Sequence, residues 1–135
     1  MYEPVKSLKR IMIVEDDENI RKTFRLLLGK KYRVYAEKDP VEVLRKGPSV
    51  EFDLVIADVK LPGMTGVDFM KELRRSGYRG EAMLITAHPD LVNIESLSQL
   101  EISHFFVKPL DLKVLDVSIE RVLQNKETSD PHALS

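Results

Sequence analysis

The chain contains no cysteine, which excludes disulfides, thiolate catalysis and metal sites built on Cys ligands. It carries no excess of either charge. Its 21 basic and 22 acidic residues leave a net charge of −1, so the broad basic footprint of a nucleic-acid-binding domain is missing. No apolar run approaches the roughly 20 residues that span a bilayer, and residues 1–10 hold no apolar signal core. The expected setting is the cytoplasm, with no membrane contact and no direct nucleic-acid contact. Internal repeats and low-complexity tracts are also missing. The three histidines, His88, His104 and His132, have no metal-ligand spacing.

The 135 residues fit one domain around one core. With 43% hydrophobic and 32% charged residues, the composition is that of an ordinary globular chain and not of a disordered one. Short apolar runs rich in β-branched residues alternate with segments of helical period. Ile11-Met12-Ile13-Val14 ends in Glu15-Asp16-Asp17. Ile20, Phe24, Leu27 and Leu28 then recur at helical spacing, and Gly29 stops them. Residues 32–36 predict a second strand. Asp39-Pro40 predicts an N-cap with proline at the first helical position, opening a helix over 41–45. Gly47-Pro48-Ser49 signals a loop.

Leu54-Val55-Ile56-Ala57, apolar on both faces, predicts a third strand ending at Asp58. After the glycine-punctuated loop 61–66, Val67, Met70 and Leu73 share one helical face, with Gly77 past its end. Residues 82–85 predict a fourth strand ending at Thr86. Ile94, Leu97 and Leu100 suggest a fourth helix. Residues 105–107 predict a fifth strand ending at Lys108-Pro109. Leu112, Leu115, Ile119, Val122 and Leu123 face one side of a last helix that Asp111 caps. Residues 1–125 are expected to be the domain, and the polar stretch 126–135 a tail or the start of a linker. Helices between fully apolar strands predict an α/β fold, a parallel sheet covered on both faces, with right-handed crossovers.

The polar residues fall at strand ends. In an open parallel sheet the strand C-termini share one edge, where ligands bind at the topological switch point. Glu15, Asp16, Asp58, Thr86 and Lys108 should therefore converge. Singly, each has a plain reading: an acidic turn opening a helix, a turn cap, a strand-end hydroxyl, a surface lysine. Jointly they form a site. Crowded carboxylates raise one another's pKa values, and a hard divalent cation such as Mg²⁺ relieves that repulsion through oxygen ligands. Asp58 then suits a carboxylate nucleophile for phosphorus, in a transfer that depends mostly on positioning and charge neutralisation.

With these residues in place, the chain resembles the receiver domains of two-component signalling, the response regulators, over roughly residues 9–124. The motifs are "IMIVEDDENI", "FDLVIADVKLPGMTGVDFM", "MLITAH" and "FFVKP". The resemblance implies a doubly wound, flavodoxin-like sheet of five strands in the order 2-1-3-4-5. It implies Asp58 as phosphoacceptor, with Thr86 and Lys108 binding the phosphoryl group. Mg²⁺ would be held by Glu15, Asp16, Asp58 and the Lys60 backbone carbonyl, with Asp16 the direct ligand and Glu15 standing where many members have Asp. Asp17, beyond that pair, would help start the first helix. Pro109 would follow a cis peptide bond. Phe105 would be the aromatic switch residue, where many members have Tyr. Lys60 and His88 would tune the lifetime of the phosphate. Glu101-Ile102-Ser103-His104 replaces the family's usual glycine-alanine step.

The implied function is a phosphorylation-dependent switch in a phosphorelay and not a conventional turnover enzyme. The donor would be a sensor histidine kinase or a phosphotransfer protein. The downstream target would bind the face of the fourth helix, fifth strand and fifth helix, on a monomer or a phosphorylation-dependent dimer. The chain fits either a single-domain regulator or the receiver of a longer protein with an output domain. A haloacid-dehalogenase-like phosphotransferase would need a second Asp where Lys60 stands. A flavodoxin-like cofactor module would need a glycine-rich phosphate loop, which is missing.

Overall fold

The computed structural model describes residues 8–46 and 51–128. The loop signal at Gly47-Pro48-Ser49, the chain start and the last seven positions lie outside the described residues. The first apolar run becomes β1 (Arg10–Val14). Asp17 accepts from the Asn19 and Ile20 N–H groups, and α1 (Glu18–Leu28) starts there. After β2 (Arg33–Glu37), Asp39 accepts from the Val41 N–H at 2.9 Å at the start of α2 (Pro40–Lys46). β3 (Leu54–Asp58) is buried along its whole length. Thr65 caps α3 (Gly66–Arg75) by accepting from the Asp68 N–H, and Gly77 leaves that helix with φ +103°, open to glycine at no steric cost. β4 (Glu81–Thr86), α4 (Ile94–Gln99) and β5 (His104–Val107) follow. Asp111 accepts from the Lys113 and Val114 N–H groups and opens α5 (Leu112–Thr128).

All four strand pairings are parallel, in the order β2-β1-β3-β4-β5. Alternate residues of each strand point to opposite faces, and each face has its own apolar cluster. Ile11, Ile13, Leu54, Ile56, Met83 and Ile85 meet Phe24 and Leu28 of α1 and Leu115, Ile119 and Leu123 of α5. Val14, Val55, Ala57 and Leu84 meet Phe69 and Met70 of α3, with α2 and α4 side chains around them. At roughly 1.5–3 kcal/mol per fully buried aliphatic side chain, the three inner strands β1, β3 and β4 anchor the sheet. Among the described residues, no helix is long and apolar enough to cross a membrane.

The fourth helix forms where Ile94, Leu97 and Leu100 suggest it, but it has only six residues and Ile94 is 81% exposed. Only Leu100 of that set is fully packed. One expectation about a helix face needs correction: Leu112 is 41% exposed, and the buried face of α5 begins one turn later, at Leu115. The helix itself runs on to Thr128.

Candidate functional site at the carboxyl edge of the sheet

The register sets the site. Val14 pairs with Ala57 and Asp58 with Ile85, so Glu15, the next residue after Val14, is level with Asp58. Thr86 pairs with Val107, which puts Lys108 one step further along the same edge. By strand alternation Glu15, Asp58 and Lys108 continue the face covered by α1 and α5, and Thr86 continues the opposite face. The order reverses between β1 and β3, so the acidic residues flank the switch point.

The side chains then meet. Lys108 Nζ donates to Glu15 Oε1 at 2.7 Å and to Asp58 Oδ2 at 2.5 Å. Glu15 is fully buried and Asp58 is 4% exposed. The second oxygen of each is also engaged: Asp58 Oδ1 accepts from the Lys60 N–H at 3.0 Å, and Glu15 Oε2 from the Asp17 N–H at 3.3 Å. Asp16 is exposed. Carboxylate oxygens of Glu15, Asp16 and Asp58 lie within 4.8 Å of one another. Asp17 stays out of this group because its carboxylate caps α1.

Burial pushes the Glu15 carboxyl up to about 7; the Lys108 ammonium opposes this and the neighbouring Asp58 adds to it. For Lys108, burial disfavours the charge, but the bonds to Asp58 and Glu15 outweigh it and hold the ammonium above its ordinary range. One ammonium thus faces three carboxylates. That excess of negative charge, on an all-oxygen donor set, fits a hard divalent cation such as Mg²⁺.

Thr86 is fully buried, with its Oγ1 accepting from the His88 N–H at 2.9 Å. Its carbonyl accepts from the Lys108 N–H at 2.8 Å. The Lys108–Pro109 peptide is cis, the geometry the resemblance implies. Phe105 is half-buried on the Thr86 face of the sheet, against the α3 cluster. His88 and Lys60 have exposed side chains, and their backbone N–H groups donate to the Thr86 hydroxyl and the Asp58 carboxylate.

Two residues escape sequence reasoning. A Cβ on Gly66 would lie 2.2 Å from the Asp58 carbonyl oxygen, so Gly66 lets α3 start directly against the Asp58 backbone. Arg21 Nη1 donates to the Glu15 carbonyl at 2.7 Å. Gly66 had a faint signal, a second glycine closing the loop after β3. Arg21 had none, since a basic residue on α1 looks like solvated surface.

A family model described as the response regulator receiver domain matches residues 11–120. The chain is 33% identical to the transcriptional regulatory protein FlgR of Helicobacter pylori over 127 residues, which is 93% of this chain and 32% of that protein. It is 28% identical to the response regulator ArlR of Staphylococcus aureus, over 91% of this chain and 56% of that protein. It therefore spans from about a third to just over half of these curated relatives. Among solved structures it is similar to the signal receiver domain of an HD domain-containing protein from Pseudomonas fluorescens Pf-5, with a TM-score of 0.82 and 26% identity over 94% of this chain and 95% of that one.

Proposed function

The chain belongs to the response regulator receiver domain family, and from that premise we propose that it is a phosphorylation-dependent switch whose phosphoacceptor is Asp58. The observation that carries this reading is the Lys108 ammonium bridging buried Glu15 and Asp58 at the end of β3. An ammonium held against the acceptor carboxylate is placed to neutralise phosphoryl oxygens as they arrive.

A phosphohistidine of a sensor kinase or phosphotransfer protein is the donor. An Asp58 carboxylate oxygen attacks phosphorus, the P–N bond breaks, and the imidazole leaves with the electron pair. Lys108 and the Thr86 hydroxyl bind the phosphoryl oxygens. Glu15, Asp16, Asp58 and the Lys60 carbonyl would hold Mg²⁺, which supplies charge neutralisation when bound. The chain is the acceptor in this transfer and not a turnover enzyme. Water later attacks phosphorus, the P–O bond to Asp58 breaks, and inorganic phosphate leaves with the carboxylate restored; Lys60 and His88, at the mouth, set the rate of that step. Thr86 and Phe105 share one face of the sheet, so a shift of Thr86 toward the phosphate frees space for the Phe105 ring. The population of states shifts, and a target at the α4–β5–α5 face reads the change. In a longer protein that target is an attached output domain.

The test is incubation with Mg²⁺ and a small acyl phosphate, followed by intact mass. The wild-type chain gains one phosphoryl group and Asp58→Asn gains none. Equal labelling of the two would refute the assignment.

A further inference from the structure

The β1–α1 turn that carries Glu15 and Asp16 is tied down on both sides. The Glu15 N–H donates to the Glu37 carbonyl at 2.9 Å. Arg21 grips the turn twice: its backbone N–H donates to the Asp17 carbonyl at 3.1 Å, and its Nη1 to the Glu15 carbonyl at 2.7 Å. Glu15 and Asp17 both have their carboxylates engaged. Asp16 is exposed, and its carboxylate lies near those of Glu15 and Asp58. An exposed carboxylate points one way only if the peptides beside it are fixed. The guanidinium of Arg21 holds the peptide that joins Glu15 to Asp16.

We infer that Arg21 is a positioning residue for divalent-cation binding: by fixing the Glu15–Asp16 peptide it aims the Asp16 carboxylate at Glu15 and Asp58. This rests on the phosphoacceptor reading above. Charge alone gives the opposite sign. A guanidinium beside an acidic pocket repels a cation, so loss of Arg21 would tighten binding if its field were all that mattered. Groups that orient a metal ligand without touching the metal are typically worth about 10-fold or more in affinity.

The experiment is calorimetric titration of Mg²⁺ alone into wild type, Arg21→Ala, Arg21→Lys, Arg21→Gln and Arg25→Ala. Arg25 is the charge control: it lies one turn along α1 and donates to the Ala36 carbonyl instead. Arg21→Ala is expected to bind Mg²⁺ about tenfold more weakly, Arg21→Lys to recover part of the loss, and Arg25→Ala to match wild type. In labelling with a small acyl phosphate, Arg21→Ala raises the Mg²⁺ concentration needed for half-maximal rate and leaves the rate at saturating Mg²⁺ unchanged. A purely structural role would lower the melting temperature without cation and leave the Mg²⁺ affinity of the folded protein alone. That result, or tighter binding by Arg21→Ala, overturns the inference. If Arg21→Ala does not fold, Arg21→Gln decides: weaker binding supports the inference, equal or tighter binding overturns it. A wild-type chain that neither binds Mg²⁺ nor is labelled refutes the phosphoacceptor reading and this inference with it. A labelled wild type matched by its Arg21 variants refutes this inference alone.

Discussion

A methyl group at position 66 would meet only backbone. Its Cβ would stand 2.2 Å from the Asp58 carbonyl oxygen and 2.9 Å from Val59 Cα, and neither can swing aside as a side chain would. Gly66→Ala should therefore push α3 away from the end of β3. We expect a loss of about 1–3 kcal/mol, the range for overpacking a tight contact, read as a lower urea midpoint. Phosphoryl labelling of Asp58 should slow as well, because the displaced backbone carries the acceptor; wild-type stability and labelling would sink the prediction. At this scale the sequence was legible where polarity breaks an apolar run. Asp58 and Glu15 end buried strands and Lys108 a half-buried one, and that change is written in the local pattern. Gly66 and Arg21 act through contacts with another segment's main chain, which the local pattern marks faintly for Gly66 and not at all for Arg21.

Among the elements, α4 is the least self-sufficient. Six residues fall well short of the roughly 12–15 at which an isolated helix begins to hold in water. Its anchors are Leu97 and Leu100, in the cluster beside β4, and Arg74 of α3. The Arg74 guanidinium donates to the carbonyls of Leu100, Tyr78, Gly80 and Glu101. Sequence periodicity marks this helix weakly because its attachment is two leucines and a hydrogen-bonded arginine, not a long apolar stripe. Glu101, just past its end, has φ +55°, a left-handed backbone that favours glycine. A side chain in that left-handed region costs roughly 1–2 kcal/mol, and glycine's greater freedom in the unfolded chain returns part of that. Glu101→Gly should raise stability by about 0.5–1 kcal/mol, seen as a higher urea midpoint at an unchanged slope. The longer elements were easier to read. α1 and α5 have strong caps in Asp17 and Asp111 and a continuous buried face.

Across the whole molecule, the acidic pocket couples folding to pH. Burial raises the Glu15 carboxyl from its ordinary 4.5 to about 7. Between those values the folded chain keeps a proton that the unfolded chain has released, so this group's contribution to stability falls as pH rises through that window. Without divalent cation, the melting temperature of Glu15→Gln should decline less with pH from about 4.5 to 7 than that of wild type, or rise more. Parallel curves would refute this. Added Mg²⁺ should flatten the wild-type dependence, since the cation replaces the proton. The topology itself was readable in outline. Alternating strands and helices dictate a parallel sheet, and right-handed crossovers restrict its order; the register that levels Glu15 with Asp58 needs the folded chain.

Glu15 and Lys108 are 93 residues apart, and that separation has a consequence in time. Domains fold as the chain is made, from the N-terminus onward. Until residue 108 has been added, Asp58 has no ammonium beside it and β5 is not in place. On the phosphoacceptor reading, a nascent chain that has not reached residue 108 carries Asp58 without the ammonium that completes its site. Competence to receive a signal then waits on β5, the last strand to join the sheet.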